Sequence, residues 1–109
     1  MKNRHVGVRI ARRLQTAEHA VDKAMVETSA LIQAMIESRA DAGFAAAVGH
    51  PALLDMVRGL SQLAEARGAV VDGHNGLAAV AEAHAIGWRL DGPLEDKPIA
   101  VVEAVPAAA

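Results

Sequence analysis

The sequence predicts an all-α fold, a long antiparallel helical hairpin that pairs with a second copy into a dimeric four-helix bundle. Apolar residues make up 52% of the 109 residues but aromatic residues only 2%, so small and aliphatic side chains must form the core, as suits helix packing. The apolar residues recur at the three- and four-residue spacings of a helix seam. No run alternates apolar and polar residues as a half-buried strand does.

The first helix is predicted over about residues 6–41, because neither proline nor glycine occurs in residues 8–42. Gly43 is expected to end it, since glycine readily adopts the left-handed conformation that terminates helices. The predicted stripe toward the second helix is Ile10, Leu14, Ala17, Val21, Ala24, Thr28, Leu31 and Met35. Four more apolar residues lie off this stripe, namely Met25, Val26, Ile32 and Ile36. A helix that is apolar over so much of its circumference is expected to be buried on more than one side.

The second helix is predicted over about residues 51–87, because proline is favoured in the first turn and Pro51 stands there. Its predicted seam is Leu53, Met56, Leu60, Leu63, Arg67, Val70, His74, Leu77, Ala81 and His84. The residues that widen this stripe on one flank are Leu54, Val57, Ala64, Val71 and Ala78. Asn75-Gly76 is a strong turn signal, and a break there gives three helices. The seam keeps its phase through these residues, which favours one continuous helix.

A line of small residues follows another side of the second helix. Its members are Gly59, Ala66, Ala69, Gly73, Gly76, Val80, Ala83 and Gly87. Small residues in register allow two backbones to approach closely, although an alanine-rich chain also produces such a line by composition alone. The candidate dimer interface is Met25, Val26, Ile32 and Ile36 with Ala69, Gly73, Gly76 and Ala83.

Catalytic, metal and cofactor sites are not predicted. The chain has no cysteine, which excludes disulfides and thiolate metal ligands. No two of the five histidines are three or four residues apart, the spacing at which a helix presents paired ligands. The serines have no Gly-x-Ser-x-Gly context. We therefore expect a protein that is not an enzyme and that needs no cofactor.

A basic segment at the N-terminus is the best functional lead. Five of the eleven basic residues fall within residues 1–13, where cations oppose the helix dipole. The candidate partner-binding residues are Arg4, Arg9, Arg12 and Arg13. Such a patch can attract phosphates of nucleic acid or an acidic protein, although a solvated helix end explains it as well. The net charge of −2 predicts no strong attraction to nucleic acid by the whole chain.

Location and the C-terminal residues complete the predictions. No apolar run is long enough to span a membrane and none follows the basic N-terminus as in a signal peptide, so a cytoplasmic protein is expected. Residues 1–90 are predicted to form the hairpin domain. Residues 91–109 contain prolines and charges without periodicity and are predicted to be an extended or disordered tail.

A lone hairpin buries one stripe on each helix, which rarely stabilises a chain of this size. The sequence therefore predicts a non-catalytic, homodimeric binding or scaffold module whose main partner is itself. The alternative is a three-helix monomer that binds nucleic acid or an acidic partner through its arginine-rich end. A third interpretation is a helical assembly factor that coats a lipid or polymer surface with its apolar stripe.

Overall fold

The computed structural model describes residues 2–86, with side chains from residue 5 onward. Two helices, α1 (Lys2–Asp41) and α2 (His50–Ala83), run antiparallel and in contact. The predicted all-α fold of two long helices is confirmed, and α1 begins earlier than expected. Pairing of two hairpins into a bundle stays a prediction. The tail predicted over residues 91–109 lies outside the described residues.

The end of α1 follows the glycine rule. Gly43 has a φ of 74°, its N–H donates to the carbonyl oxygen of Ala40 at 3.0 Å, and the N–H of Phe44 donates to that of Arg39 at 3.1 Å. These two bonds form a Schellman motif, which satisfies carbonyl groups that the helix end leaves without partners. The Arg39 Nη1 also donates to the Phe44 carbonyl oxygen at 2.8 Å, which ties the helix end to the connecting loop.

The start of α2 depends on a second left-handed glycine. Gly49 has a φ of 77°, and its carbonyl oxygen accepts the Leu53 N–H at 3.0 Å, the first bond of the helix. Pro51 then stands within the first turn, as predicted, where its lack of an N–H leaves no bond unmade.

The helix α2 passes through Asp72–Gly76 without a break and ends at Ala83, before the predicted end. Ala85 adopts a left-handed φ of 54°, its N–H donates to Glu82, and the N–H of Ile86 donates to the carbonyl oxygen of Ala81 at 2.8 Å. This is again a Schellman motif, with alanine in the place that glycine usually fills. His84, predicted as a seam residue, consequently lies exposed in the terminal turn.

The chain forms two compact units. The loop-end unit is Thr16–Gly73, and the termini unit is Met1–Gln15 with His74–Ala109, described as far as residue 86. Each helix contributes residues to both units.

The seam of α1 is displaced from its predicted position. In the loop-end unit, the predicted seam residues Ala17 and Leu31 are exposed, whereas the half-buried residues recur at spacings of three and four as Glu18, Val21, Met25, Thr28, Ile32, Met35 and Arg39. The predicted seam residues Val21, Ala24, Thr28 and Met35 are half-buried, so the predicted stripe was wrong at Ala17 and Leu31, where the residue that follows is half-buried instead. Charged residues occupy two of the observed seam positions, Glu18 and Arg39, and Oε1 of Glu18 is buried.

The seam of α2 largely agrees with the prediction. In the loop-end unit its half-buried members are Leu53, Met56, Leu60, Leu63 and Val70. Arg67 is exposed, but its Nε lies 2.7 Å from Oδ1 of Asp22 on α1. Both side chains are about half exposed, so the pair contributes at most about 1 kcal/mol. Its main consequence is positional, because it places residue 22 of α1 level with residue 67 of α2.

The core is thin. Among the described residues the only buried apolar side chains are Ala11 and Ala81, each 5% exposed, and no large side chain is fully buried. Both alanines belong to the termini unit. The larger seam residues of the loop-end unit are only half-buried, so the contact between α1 and α2 leaves most of them partly in solvent.

Candidate interaction surfaces

Five large apolar side chains of the loop-end unit are exposed on one side of the hairpin. We call them the valine face: Val26 (66% exposed), Ile36 (46%), Leu54 (50%), Val57 (46%) and Val71 (45%). A group of exposed large apolar side chains marks an interaction site more often than isolated apolar residues do.

The heptad geometry explains why these side chains share a side. Each of them follows a half-buried seam residue by one position, as Val57 follows Met56 and Val71 follows Val70. One residue corresponds to a rotation of about 100° around a helix. Because α1 and α2 run antiparallel, the same sense of rotation on both helices leads to the same side of the hairpin. Ala64, which follows Leu63 and is exposed, extends the valine face along α2.

The line of small residues lies on the other side of α2. Gly59 and Gly73 each precede a seam residue, and a Cβ atom added at Gly59, Gly73 or Gly76 meets no atom within 4 Å. No backbone within residues 2–86 therefore approaches these glycines. Close approach along this line stays a prediction about a second molecule.

The residues predicted for the dimer interface fall into two groups. Met25 and Ile32 are half-buried on the α1 seam, so the chain itself already covers part of them. The others are exposed: Val26, Ile36, Ala69, Gly73, Gly76 and Ala83. The first two of these belong to the valine face, and the remaining four belong to the opposite side of α2. The eight predicted residues therefore do not form one surface.

The basic residues lie in the termini unit. Arg9, Arg12 and Arg13 are exposed on α1, and the side chain of Arg4 lies outside the described residues. Residues 1–15 and 74–86 carry five basic side chains against one acidic side chain, Glu82. The loop-end unit instead carries eight acidic side chains against four basic ones. The two units thus have net charges of opposite sign.

An open cleft of about 270 Å³ lies beside the loop that joins the helices. Its lining includes Met35, Ile36, Phe44 and Leu53, so it is mainly apolar. Arg39 also lines it, but its guanidinium group donates to the Phe44 carbonyl oxygen and holds the loop. The cleft therefore offers few polar groups to orient a small ligand, which specific ligand sites need.

Metal ligands, membrane-spanning stretches and further ion pairs do not point to another functional site among the described residues. In residues 5–86 no three His, Asp or Glu side chains come together in a way that could hold a metal ion. Neither described helix has a stretch that is apolar and long enough to cross a membrane. Two further ion pairs, Lys23–Glu27 and Arg58–Asp55, join exposed neighbours on the same helix.

The sequence predicts part of the valine face. Leu54, Val57 and Val71 are among the residues predicted to widen the α2 stripe on one flank, and they are 45–50% exposed. The available signal was the repeat of Val57, Ala64, Val71 and Ala78 at spacings of seven, parallel to the seam. A second heptad line on one helix indicates a second helix packed along it.

No protein family model, curated protein or solved structure matches this chain, so its own residues carry the interpretation.

Proposed function

We propose that this chain is a non-catalytic binding or scaffold module that acts as a homodimer, with two hairpins packed into a four-helix bundle. The observation that supports the proposal is the valine face, whose five large side chains keep 45–66% of their surface in solvent. Fully burying such a side chain contributes about 1.5–3 kcal/mol, so covering the exposed half contributes about 1 kcal/mol for each. A cytoplasmic location stays a prediction of the sequence.

The thin core supports self-association as well. Among residues 5–86 no large side chain is fully buried, whereas small domains without disulfides or metals usually need either dense helix packing or oligomerisation. Pairing two valine faces places their exposed side chains in the interior of a four-helix bundle. In such a bundle each helix of a hairpin is buried on two sides.

The mass in solution tests this proposal. Light scattering coupled to gel filtration should give about twice the chain mass of 11.3 kDa, with the mass falling only on dilution. Thermal unfolding should also occur at higher temperature as protein concentration rises, because only the folded dimer is stabilised by mass action. A mass of one chain at high concentration contradicts the proposal.

A second candidate function is binding of nucleic acid or an acidic protein through Arg9, Arg12 and Arg13. The excess of basic side chains in the termini unit favours it. Phosphate contacts make such binding strongly salt-dependent. Retardation of a DNA duplex in a gel should then disappear when all three arginines are replaced by glutamine, and Lys23→Gln on the loop-end unit is the control. Equal retardation by both variants contradicts a specific arginine site.

A further inference from the structure

We infer that the second copy packs antiparallel on the valine face, with Val57 of one α2 beside Val71 of the other and Ala64 on the two-fold axis. The inference rests on the proposed homodimer and specifies its interface and orientation. It also distinguishes between the two exposed sides of α2. Only on one side do large apolar side chains, Val57 and Val71, belong to a heptad repeat.

The spacing along α2 supports this register. Val57 and Val71 are each seven residues from Ala64, so a two-fold axis at Ala64 brings each valine level with the other valine of the second copy. An isologous contact of this kind uses the same patch on both molecules. Ala64 and Gly68 are exposed, and a Cβ at Gly68 meets nothing within 4 Å. The centre of the contact is thus narrow enough for two helices to approach closely.

The charges beside the stripe are complementary in the same register. Arg58 is six residues before Ala64 and Asp72 is eight residues after it, so in this register Arg58 of one copy lies about 3 Å along the helix axis from the level of Asp72 of the other, twice in the dimer. Glu65 follows Ala64 and lies about 3 Å along the helix axis from the level of Glu65 of the second copy, an unfavourable pair of like charges. Flanking charges of this type set the orientation of packed helices.

The spacing of the valines and the charges that follow them are both self-complementary about Ala64. This pattern identifies the occupant as a second copy of this protein.

The first test compares two valines on opposite sides of α2. Val71 on the valine face is 45% exposed, and Val80, which precedes the seam residue Ala81, is 48% exposed. Val71→Asp should raise the dimer dissociation constant on the order of a hundred-fold or more, because a symmetric interface then holds two carboxylates without partners. Val80→Asp should leave the dissociation constant within a few-fold. Circular dichroism of both variants checks that helix content is kept.

The second test fixes the orientation by disulfide cross-linking. The chain has no cysteine, so introduced cysteines react only with one another. A mixture of Val57→Cys and Val71→Cys proteins should cross-link into a mixed dimer, and each protein alone should not. In the antiparallel register two copies of residue 57 lie on the order of 20 Å apart along the helix, far beyond disulfide reach. Self-cross-linking of Val57→Cys alone indicates a parallel pair and overturns the inference.

The third test uses the flanking charges. Arg58→Asp should weaken the dimer several-fold, and adding Asp72→Arg should restore it, a rescue that a purely local effect on the Asp55 ion pair does not produce. Glu65→Gln should tighten the dimer. Dimers that survive Val71→Asp but are lost on Gly76→Leu place the interface on the small-residue side and overturn the inference alone. A monomeric wild-type protein overturns the proposed function itself.

Discussion

The continuity of α2 through Asn75-Gly76 predicts that alanine at residue 76 stabilises the protein. Gly76 is helical, its φ is not left-handed, and a Cβ there meets no atom within 4 Å. Alanine is favoured over glycine inside a helix by about 0.8–1 kcal/mol. For a domain of this size, about 1 kcal/mol corresponds to a rise in Tm of about 4–8 °C. Thermal unfolding of Gly76→Ala followed by far-ultraviolet circular dichroism measures this difference directly.

A matched variant gives the opposite sign. Gly43 has the same open surroundings, but its φ is +74°, and a side chain in the left-handed region costs about 1–2 kcal/mol. Gly43→Ala should therefore lower Tm while Gly76→Ala raises it. If both variants lower Tm, residue 76 adopts a positive φ and α2 breaks at Asn75-Gly76. Gly76→Leu, measured for mass as well as stability, should stay folded and dimeric unless the small-residue line is the interface.

Three further variants test the local structure. Ala85→Gly should raise stability by about 1 kcal/mol, because Ala85 has a left-handed φ of 54°; an unchanged or lower Tm contradicts this account of the helix end. Ile32→Ala should destabilise the protein by about 1–2 kcal/mol, since Ile32 is a half-buried seam residue. Leu31 is 47% exposed, so Leu31→Ala should change stability by no more than about 0.5 kcal/mol. A larger loss of stability for Leu31→Ala than for Ile32→Ala would place Leu31 in the seam, as the sequence predicts. Deletion of residues 91–109, measured by thermal unfolding, should shift Tm by only a few degrees, because their prolines and charges give them little apolar surface to bury, and a large loss shows that the tail packs on the hairpin.

The sequence by itself favoured two helices and placed the two ends beside the loop. Gly43 and Pro51 mark the loop correctly because their backbone preferences are local properties, set by a missing Cβ and a missing N–H. The α2 seam from Leu53 to Ala81 was also readable, since Leu and Met alternate there with polar or small residues. Local propensity and periodicity need no knowledge of the partner helix.

Only the tertiary structure decided which side of α1 faces α2. At residues 31 and 32 two apolar neighbours compete, and Ile32 is half-buried whereas Leu31 is exposed. Helix propensity cannot separate them, so the choice depends on where the loop and the Asp22–Arg67 contact place α2. That choice buries part of Met25 and Ile32 and leaves Val26 in solvent. The valine face exists because packing between two particular helices covers one apolar stripe on each helix and leaves the apolar side chains beside it exposed.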